Sequence, residues 1–448
     1  MTARGDEQYA QMTSEPVSRL VVSLAVPAIV SMMITSVYNL VDTAFVGTLG
    51  TSASGATGIV FGFMAVIQAF GFMFGQGAGS IVSRALGQQD ERRASIHATL
   101  GVLSAFASGL VIALLSAAQL DRVVLLLGST PTIAPYAKTY ISFILLAAPF
   151  MCSSFALNNV LRYEGKALLG TIGMGVGAVL NMVGDFVFMP VLGLGIFGAG
   201  LSTALSEIVS WAVLLSMFVR GKTSTKLRPS CLRHARPAFL ADIVATGFPS
   251  LLRQALNSIA TVLLNGCCAV YGDAAVAGMS IVSRVVFFAF SIALGIGQGF
   301  QPVAGFNYGA RQYRRVRDAF RFTCLASQAV IAIGATVLFV GAEPIIARFR
   351  DDPAVLEVGV RALRLQAVAL LALPLSVSCE MLYQSCGHRA GATLLSGMRN
   401  GLLFIPLLLL LSSFRGLAGI QEAQPLSYVL SLPITIPFIA RFFRRLNN

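Results

Sequence analysis

The sequence predicts an all-α integral membrane protein, with twelve transmembrane helices in two six-helix bundles related by a pseudo-twofold axis along the membrane normal. Three observations predict it. The 448 residues are 56% hydrophobic and only 11% charged, with a mean hydropathy of +0.78, outside the range of soluble globular domains. The apolar residues run on for about 20 positions or more, as a membrane-crossing helix requires, and do not alternate as barrel strands do. The sequence also repeats itself at one fixed offset, the shift that carries Pro27 onto Pro249.

Spans are expected near 20–47, 55–82, 95–118, 135–161, 168–193, 197–219, 242–271, 276–302, 321–341, 358–386, 391–413 and 417–440. The first run is too long for a signal h-region and follows a mixed-charge tail, so it reads as an uncleaved first span. Pro27, Pro190, Pro249, Pro374, Pro406, Pro433 and Pro437 are expected to kink their helices. Pro27 is the hinge candidate because the same span carries Asp42.

The net charge of +13 invites a nucleic-acid partner, but its distribution argues for topology. Assigned to alternating sides of twelve spans, most Lys and Arg fall with the two termini, including Arg92, Arg93, Arg162, Lys166, Arg314, Arg315, Arg389, Arg399, Arg444 and Arg445. Few fall on the other side: Arg122, Lys138, Arg348, Arg350, Arg361, Arg364 and Arg415. The positive-inside rule then makes both termini cytoplasmic. The partner implied is the lipid bilayer, not nucleic acid. Arg253 and Arg284 lie within spans.

In the register that sets Pro27 on Pro249, Gly50 meets Gly272, Gly75-Gln76-Gly77 meets Gly297-Gln298-Gly299, Gly87 meets Gly309, Arg92-Arg93 meets Arg314-Arg315 and Gly165 meets Gly387. Six spans per copy is an even number, so both copies enter the membrane in the same direction. Such parallel repeats build two bundles with substrate sites at their interface. The expected organisation is an amino-terminal lobe 1–219, a basic linker 220–241 and a carboxy-terminal lobe 242–448. The linker begins RGKTSTKLRPSCLRHARP and reads as a solvated loop held near anionic lipid.

Ionisable residues inside spans are costly and mark ion or substrate pathways. Asp42, Asp185 and Thr203 come from spans 1, 5 and 6, at offsets that put them roughly 8 to 12 Å below the outer boundary. Asn181 precedes Asp185 by one helical turn, so both project from one face of span 5. Gly173 and Gly177 continue that face and allow close helix approach. Two carboxylates, an amide and a hydroxyl offer hard oxygen ligands for Na+, or a proton site; the residues leave both open. Tyr38 and Asn39 are accessory candidates beside Asp42. Glu207, one turn from Thr203, either extends the site or faces an interfacial position. Glu380 and Arg253 are expected to pair with each other.

Seven cysteines without a CxxC pair read as small packing residues. His97, His234 and His388 are scattered, and neither HExxH nor GxSxG occurs, so no cofactor, structural metal or intramembrane enzyme is expected.

Four stretches, LAVPAIVSMMITSVYNLVDTAFVG, GQGAGSIVSRALGQQD, NNVLRYEGKA and GAGLSTALSEI, with YQSCGHRAGA later, resemble the multidrug and toxic compound extrusion (MATE) family over nearly the whole chain. The likeness is to its MepA-like branch within the DinF-related group. The resemblance implies a monomeric, two-lobe antiporter in the cytoplasmic (inner) membrane that expels organic, often cationic compounds in exchange for H+ or Na+. It implies that Asp42, Asn181, Asp185 and Thr203 form the cation site, whether for a proton or for Na+. Glu207 departs from the family's usual Gln. The span 10 acid of another branch falls on Leu375, so no carboxy-lobe ion site is carried over. A flippase for lipid-linked glycans on a related fold is the alternative; it would require a strongly cationic cleft. A channel or receptor predicts no carboxylate-dependent exchange.

Overall fold

The computed structural model describes residues 3–234 and 236–447, leaving aside the side chains of residues 3, 4, 39, 40, 43, 44, 51, 229, 234 and 447. Among the described residues every regular element is helical. The first half comprises α1 (Ala3–Ser14), α2 (Val17–Gly47), α3 (Thr51–Gly87), α4 (Glu91–Ala118), the short α5 (Leu120–Leu126), α6 (Ala134–Tyr163), α7 (Ala167–Phe186, prolonged by a π-helical turn Val187–Val191) and α8 (Gly195–Val219). The second comprises α9 (Pro237–Ala269), α10 (Asp273–Gly309), α11 (Tyr313–Val340), the short α12 (Ala342–Phe349), α13 (Pro353–Leu370), α14 (Leu373–Ser385), α15 (Arg389–Gly397, prolonged by a π-helical turn Met398–Leu403) and α16 (Phe404–Asn447).

The expected spans correspond to these helices, with three modifications. α13 and α14 form one span bent by 53°. α16 contains Gly416 at φ 59°, ψ −136°, a backbone break that divides it into two spans. α9 is long enough to cross, but Arg253, Gln254, Asn257 and Asn265 dilute its hydropathy, and by length and composition it is not among the nine clear spans of the described residues. The mixed-charge tail, for which no structure was expected, forms α1; its Gln8 and Met12 are buried. Arg399, counted with the charges on the side of the termini although it falls within the expected span 391–413, lies in the π-helical turn inside that span.

The repeat is written into the backbone. Gly50 and Gly272 have φ of 107° and 90°, Gly165 and Gly387 have 83° and 81°, and Gln89 and Arg311 have 61° and 59°. Each pair stands in the same register as Pro27 and Pro249. The matched glycines stand where an L side chain would be strained. Helix starts are capped locally: Asp90 accepts from Arg93 N at 2.8 Å and Asp352 accepts from Ala354 N at 2.9 Å, with Pro353 at the first helical position.

The helices gather into two compact units. One contains Met1–Glu15 and Val30–Leu251, the other Pro16–Ile29 and Leu252–Asn448. The expected lobes 1–219 and 242–448 are therefore modified at their first helices. The opening residues of α2 belong with the second unit, and those of α9 with the first. Val30 and Leu252, where each helix changes unit, are again partners in the repeat register. The Gly-Gln-Gly motif explains the exchange. A Cβ on Gly77 would lie 2.2 Å from the Ile243 carbonyl oxygen, and one on Gly299 would lie 2.7 Å from that of Val21 and 2.5 Å from Ala25 N. Only glycine lets these backbones pass so closely. Within the first unit Ser250 also donates to Gln76 Oε1 at 2.6 Å.

Candidate functional site

Asp42, Asn181, Asp185 and Thr203 are all buried in the first unit, at 3%, 2%, 0% and 4% exposure. α7 and α8 bring three of them together. A Cβ on Gly173 would lie 2.3 Å from Leu214 Cδ2, and one on Gly177 would lie 2.7 Å from Ser210 Cβ, so the small-residue face of α7 packs directly on α8. Farther along, Asn181 Nδ2 donates to Thr203 Oγ1 at 3.3 Å and reaches Ser202 Oγ at 3.4 Å. Ser202 Oγ returns a bond to the Asn181 carbonyl at 2.9 Å.

Thr203 has a definite role in this network. Its hydroxyl donates to the Ala199 carbonyl at 3.0 Å, which leaves its oxygen to accept from Asn181 and from Tyr140 OH, 3.3 Å away. That fills the hydroxyl's hydrogen-bonding capacity. Thr203 holds the Asn181 amide by its nitrogen and turns the amide oxygen away from α8. Among the described residues Asn181 Oδ1 then has no hydrogen-bond donor, and neither has Asp42 Oδ1, either oxygen of Asp185, or Glu207 Oε2.

Asp42 of α2 neighbours Asp185, and Tyr38 neighbours both acids and Glu207. Glu207 thus belongs to the surroundings of the site through Tyr38. Asn39 is in α2, but its side chain lies outside the described residues. Among the described residues no ion pair involves Asp42, Asp185 or Glu207, and no group of three or more His, Cys, Asp or Glu side chains forms a metal cluster. Two adjacent buried carboxylates without a counter-charge are strongly unfavourable when both are ionised. A proton or a small cation relieves that. Tyr140 and Ser202 were missed from the sequence: hydroxyls in apolar helices carry no signal until the packing joins them.

Pro27 lies inside α2, shortly before that helix changes unit. In the second unit, Arg253 Nη1 pairs with Glu380 Oε1 at 2.5 Å, and Ser396 Oγ donates to the same oxygen at 2.7 Å. This is the pairing the sequence suggested.

A helical protein that crosses the bilayer repeatedly and buries two carboxylates and an amide oxygen without donors has the construction of an ion-coupled membrane carrier. Comparison with known proteins makes the class specific. The MatE family model matches residues 27–187 and 249–410, two segments whose first residues are the paired prolines Pro27 and Pro249. The chain belongs to the MatE family of membrane transporters. The multidrug export protein MepA of Staphylococcus haemolyticus (strain JCSC1435) is 26% identical over 418 residues, 93% of this chain and 91% of the relative. MepA of Staphylococcus saprophyticus is 25% identical over 416 residues, 93% of this chain and 92% of the relative. A crystal structure of a MATE protein in complex with MaL6 superposes with a TM-score of 0.92 at 22% identity, covering 98% of this chain and 99% of the other. The Vibrio cholerae MATE transporter VcmN does so with a TM-score of 0.90 at 22% identity, covering 96% and 97%. The twelve-helix MATE fold is thereby shared.

Proposed function

We propose that the chain is a secondary-active exporter that expels small amphipathic organic compounds in exchange for H+ or Na+, with Asp42, Asp185 and Asn181 as the coupling-ion site. The observation that carries the proposal is the set of buried oxygens without donors among the described residues: Asp42 Oδ1, Asn181 Oδ1 and both oxygens of Asp185. Thr203, Tyr140 and Ser202 orient the amide, while Tyr38 and Glu207 border the site. The family membership and the MepA relatives, named as multidrug export proteins, support the export of organic compounds.

Ion binding drives export by differential affinity, since a ligand shifts a conformational equilibrium only as far as its affinities for the two states differ. A proton or Na+ removes negative charge from a desolvated pair of carboxylates. Ion loss restores their repulsion and favours a different packing of α2 against α7. Pro27 serves as the hinge because it cannot donate the hydrogen bond that would stiffen α2 there. The charge distribution supports cytoplasmic termini in an inner membrane, where the protein acts as a monomer on small molecules and needs no nucleic acid.

The test is reconstitution into liposomes with an imposed pH gradient or Na+ gradient, one at a time. Addition of a quaternary ammonium substrate is expected to dissipate one gradient and leave the other intact. Dissipation of neither, or lipid scrambling or electrical conductance in its place, overturns the proposal.

A further inference from the structure

The second unit contains a cavity of about 350 Å3 whose walls are α9, α10, the start of α14, the π-helical turn Met398–Leu403 and α16. Three arginines line it: Arg253, Arg284 and Arg399. They stand roughly 24 Å along α9, 17 Å along α10 and 15 Å past the start of α15, so each is deep within its span. Charges at such depth face water-filled cavities and mark functional pathways. Arg253 is answered by Glu380, but Arg284 and Arg399 have no carboxylate partner among the described residues. Arg399 is held over the Phe290 ring at 5.6 Å and comes from a π-helical turn, a distortion often retained at functional sites.

Two of the other polar groups leave a donor available. Gln424 Nε2 donates to Tyr428 OH at 2.7 Å, leaving the phenolic proton free. Asn400 Nδ2 donates to Asn257 Oδ1 at 3.2 Å, leaving the Asn257 amide nitrogen free. Gln254, Thr261 and Ser283 also line it, the two hydroxyls donating to the Asn257 and Met279 carbonyls, and the remainder of the wall is apolar and includes Leu264. Leu264 occupies, in the second copy, the register position of Asp42 in the first. The duplicated fold therefore has an acidic site in one unit and a basic pocket in the other.

We infer that the Arg284–Arg399 pocket binds the oxyanion of an amphipathic molecule, a phosphate or carboxylate with an apolar body. Guanidinium groups bind such oxyanions through charge-assisted, bidentate hydrogen bonds. The Tyr428 hydroxyl and the Asn257 amide complete the donor set, and the apolar wall takes the tail. The inference goes beyond the export reading and does not depend on it, because binding here requires no ion gradient.

The test is calorimetric titration of hexyl phosphate into the full-length protein in phosphatidylcholine nanodiscs. Saturable binding is expected, with hexyltrimethylammonium failing to compete. Arg284→Gln and Arg399→Gln should each weaken binding about tenfold or more, whereas Gly58→Ala, where nothing lies within 4 Å of the added carbon, should leave it unchanged. Arg253 is left intact because its loss would strand Glu380. Nanodiscs containing phosphatidylglycerol identify the source of the oxyanion: displacement of hexyl phosphate assigns the pocket to a lipid headgroup, and continued binding assigns it to a soluble organic anion. Either result upholds the oxyanion site. Absence of saturable binding, equal competition by hexyltrimethylammonium, or wild-type affinity in both variants overturns it. The competition measurement uses the unmodified chain, so it stands even if a variant fails to fold.

Discussion

Glu164 offers a prediction whose size follows from the structure. It stands just past α6, outside the membrane-spanning segments, where α1 and residues 221–228 dock. Thr225 N donates to its Oε1 at 2.5 Å. Gln8 of α1 donates to its backbone carbonyl and accepts from Ser224, and Lys166 Nζ reaches the Lys222 carbonyl at 2.6 Å. Among the described residues Glu164 Oε2 is buried without a hydrogen-bond partner. Burial pushes the Glu164 carboxyl up from an ordinary 4.5 to about 7, although Lys166 and the Thr225 amide pull the other way. A carboxyl raised in the docked state stabilises docking fully below its undocked value, and the stabilisation is lost as pH climbs toward the docked value. Between pH 4.5 and 7 the docked state should lose about 3 kcal/mol. Hydrogen exchange of residues 5–14 and 221–228, corrected for intrinsic rates, should show protection falling from pH 5 to pH 8. Glu164→Gln should hold the low-pH protection throughout. An unaltered pH dependence in Glu164→Gln, or none in the wild type, would refute the reasoning.

Thr203→Ala should free the Asn181 amide to rotate and lower ion-coupled efflux about fivefold, the equivalent of one hydrogen bond of about 1 kcal/mol; if Thr203 is instead a direct ion ligand, the loss will be far larger and accompanied by weaker ion binding. Gly77→Ala and Gly299→Ala force a methyl against neighbouring backbone and should each cost about 1 to 3 kcal/mol of stability, read as a lower melting temperature of the purified protein. Gly58→Ala, where nothing lies within 4 Å of the added carbon, is the control and should melt as the wild type does.

The sequence carries much of this architecture because the bilayer imposes simple demands on it. Long apolar runs predict crossing helices, and of the glycines repeated between the two halves Gly50, Gly272, Gly165 and Gly387 hold positive φ while Gly77 and Gly299 hold close helix contacts, requirements that admit almost no other residue. Asp42, Asn181 and Asp185 were legible because polar groups are rare in such runs, and the Arg253–Glu380 pair for the same reason. What escaped was set by tertiary packing. α1 is too polar to read as a bound helix until Gln8 meets Glu164 and Ser224. Tyr140 and Ser202 resemble any other hydroxyl until α6, α7 and α8 converge. The exchange of the opening residues of α2 and α9 depends on a contact between distant segments, which no local pattern records.

The most direct test of the central claim is substrate-driven ion flux in liposomes for Asp42→Asn and Asp185→Asn, compared with wild type at equal incorporation. Each variant keeps the side-chain shape but cannot ionise, so coupled flux should fall to the level of empty liposomes while substrate still binds the purified protein. Full wild-type flux in either variant would contradict the assignment of these two carboxylates as the coupling site.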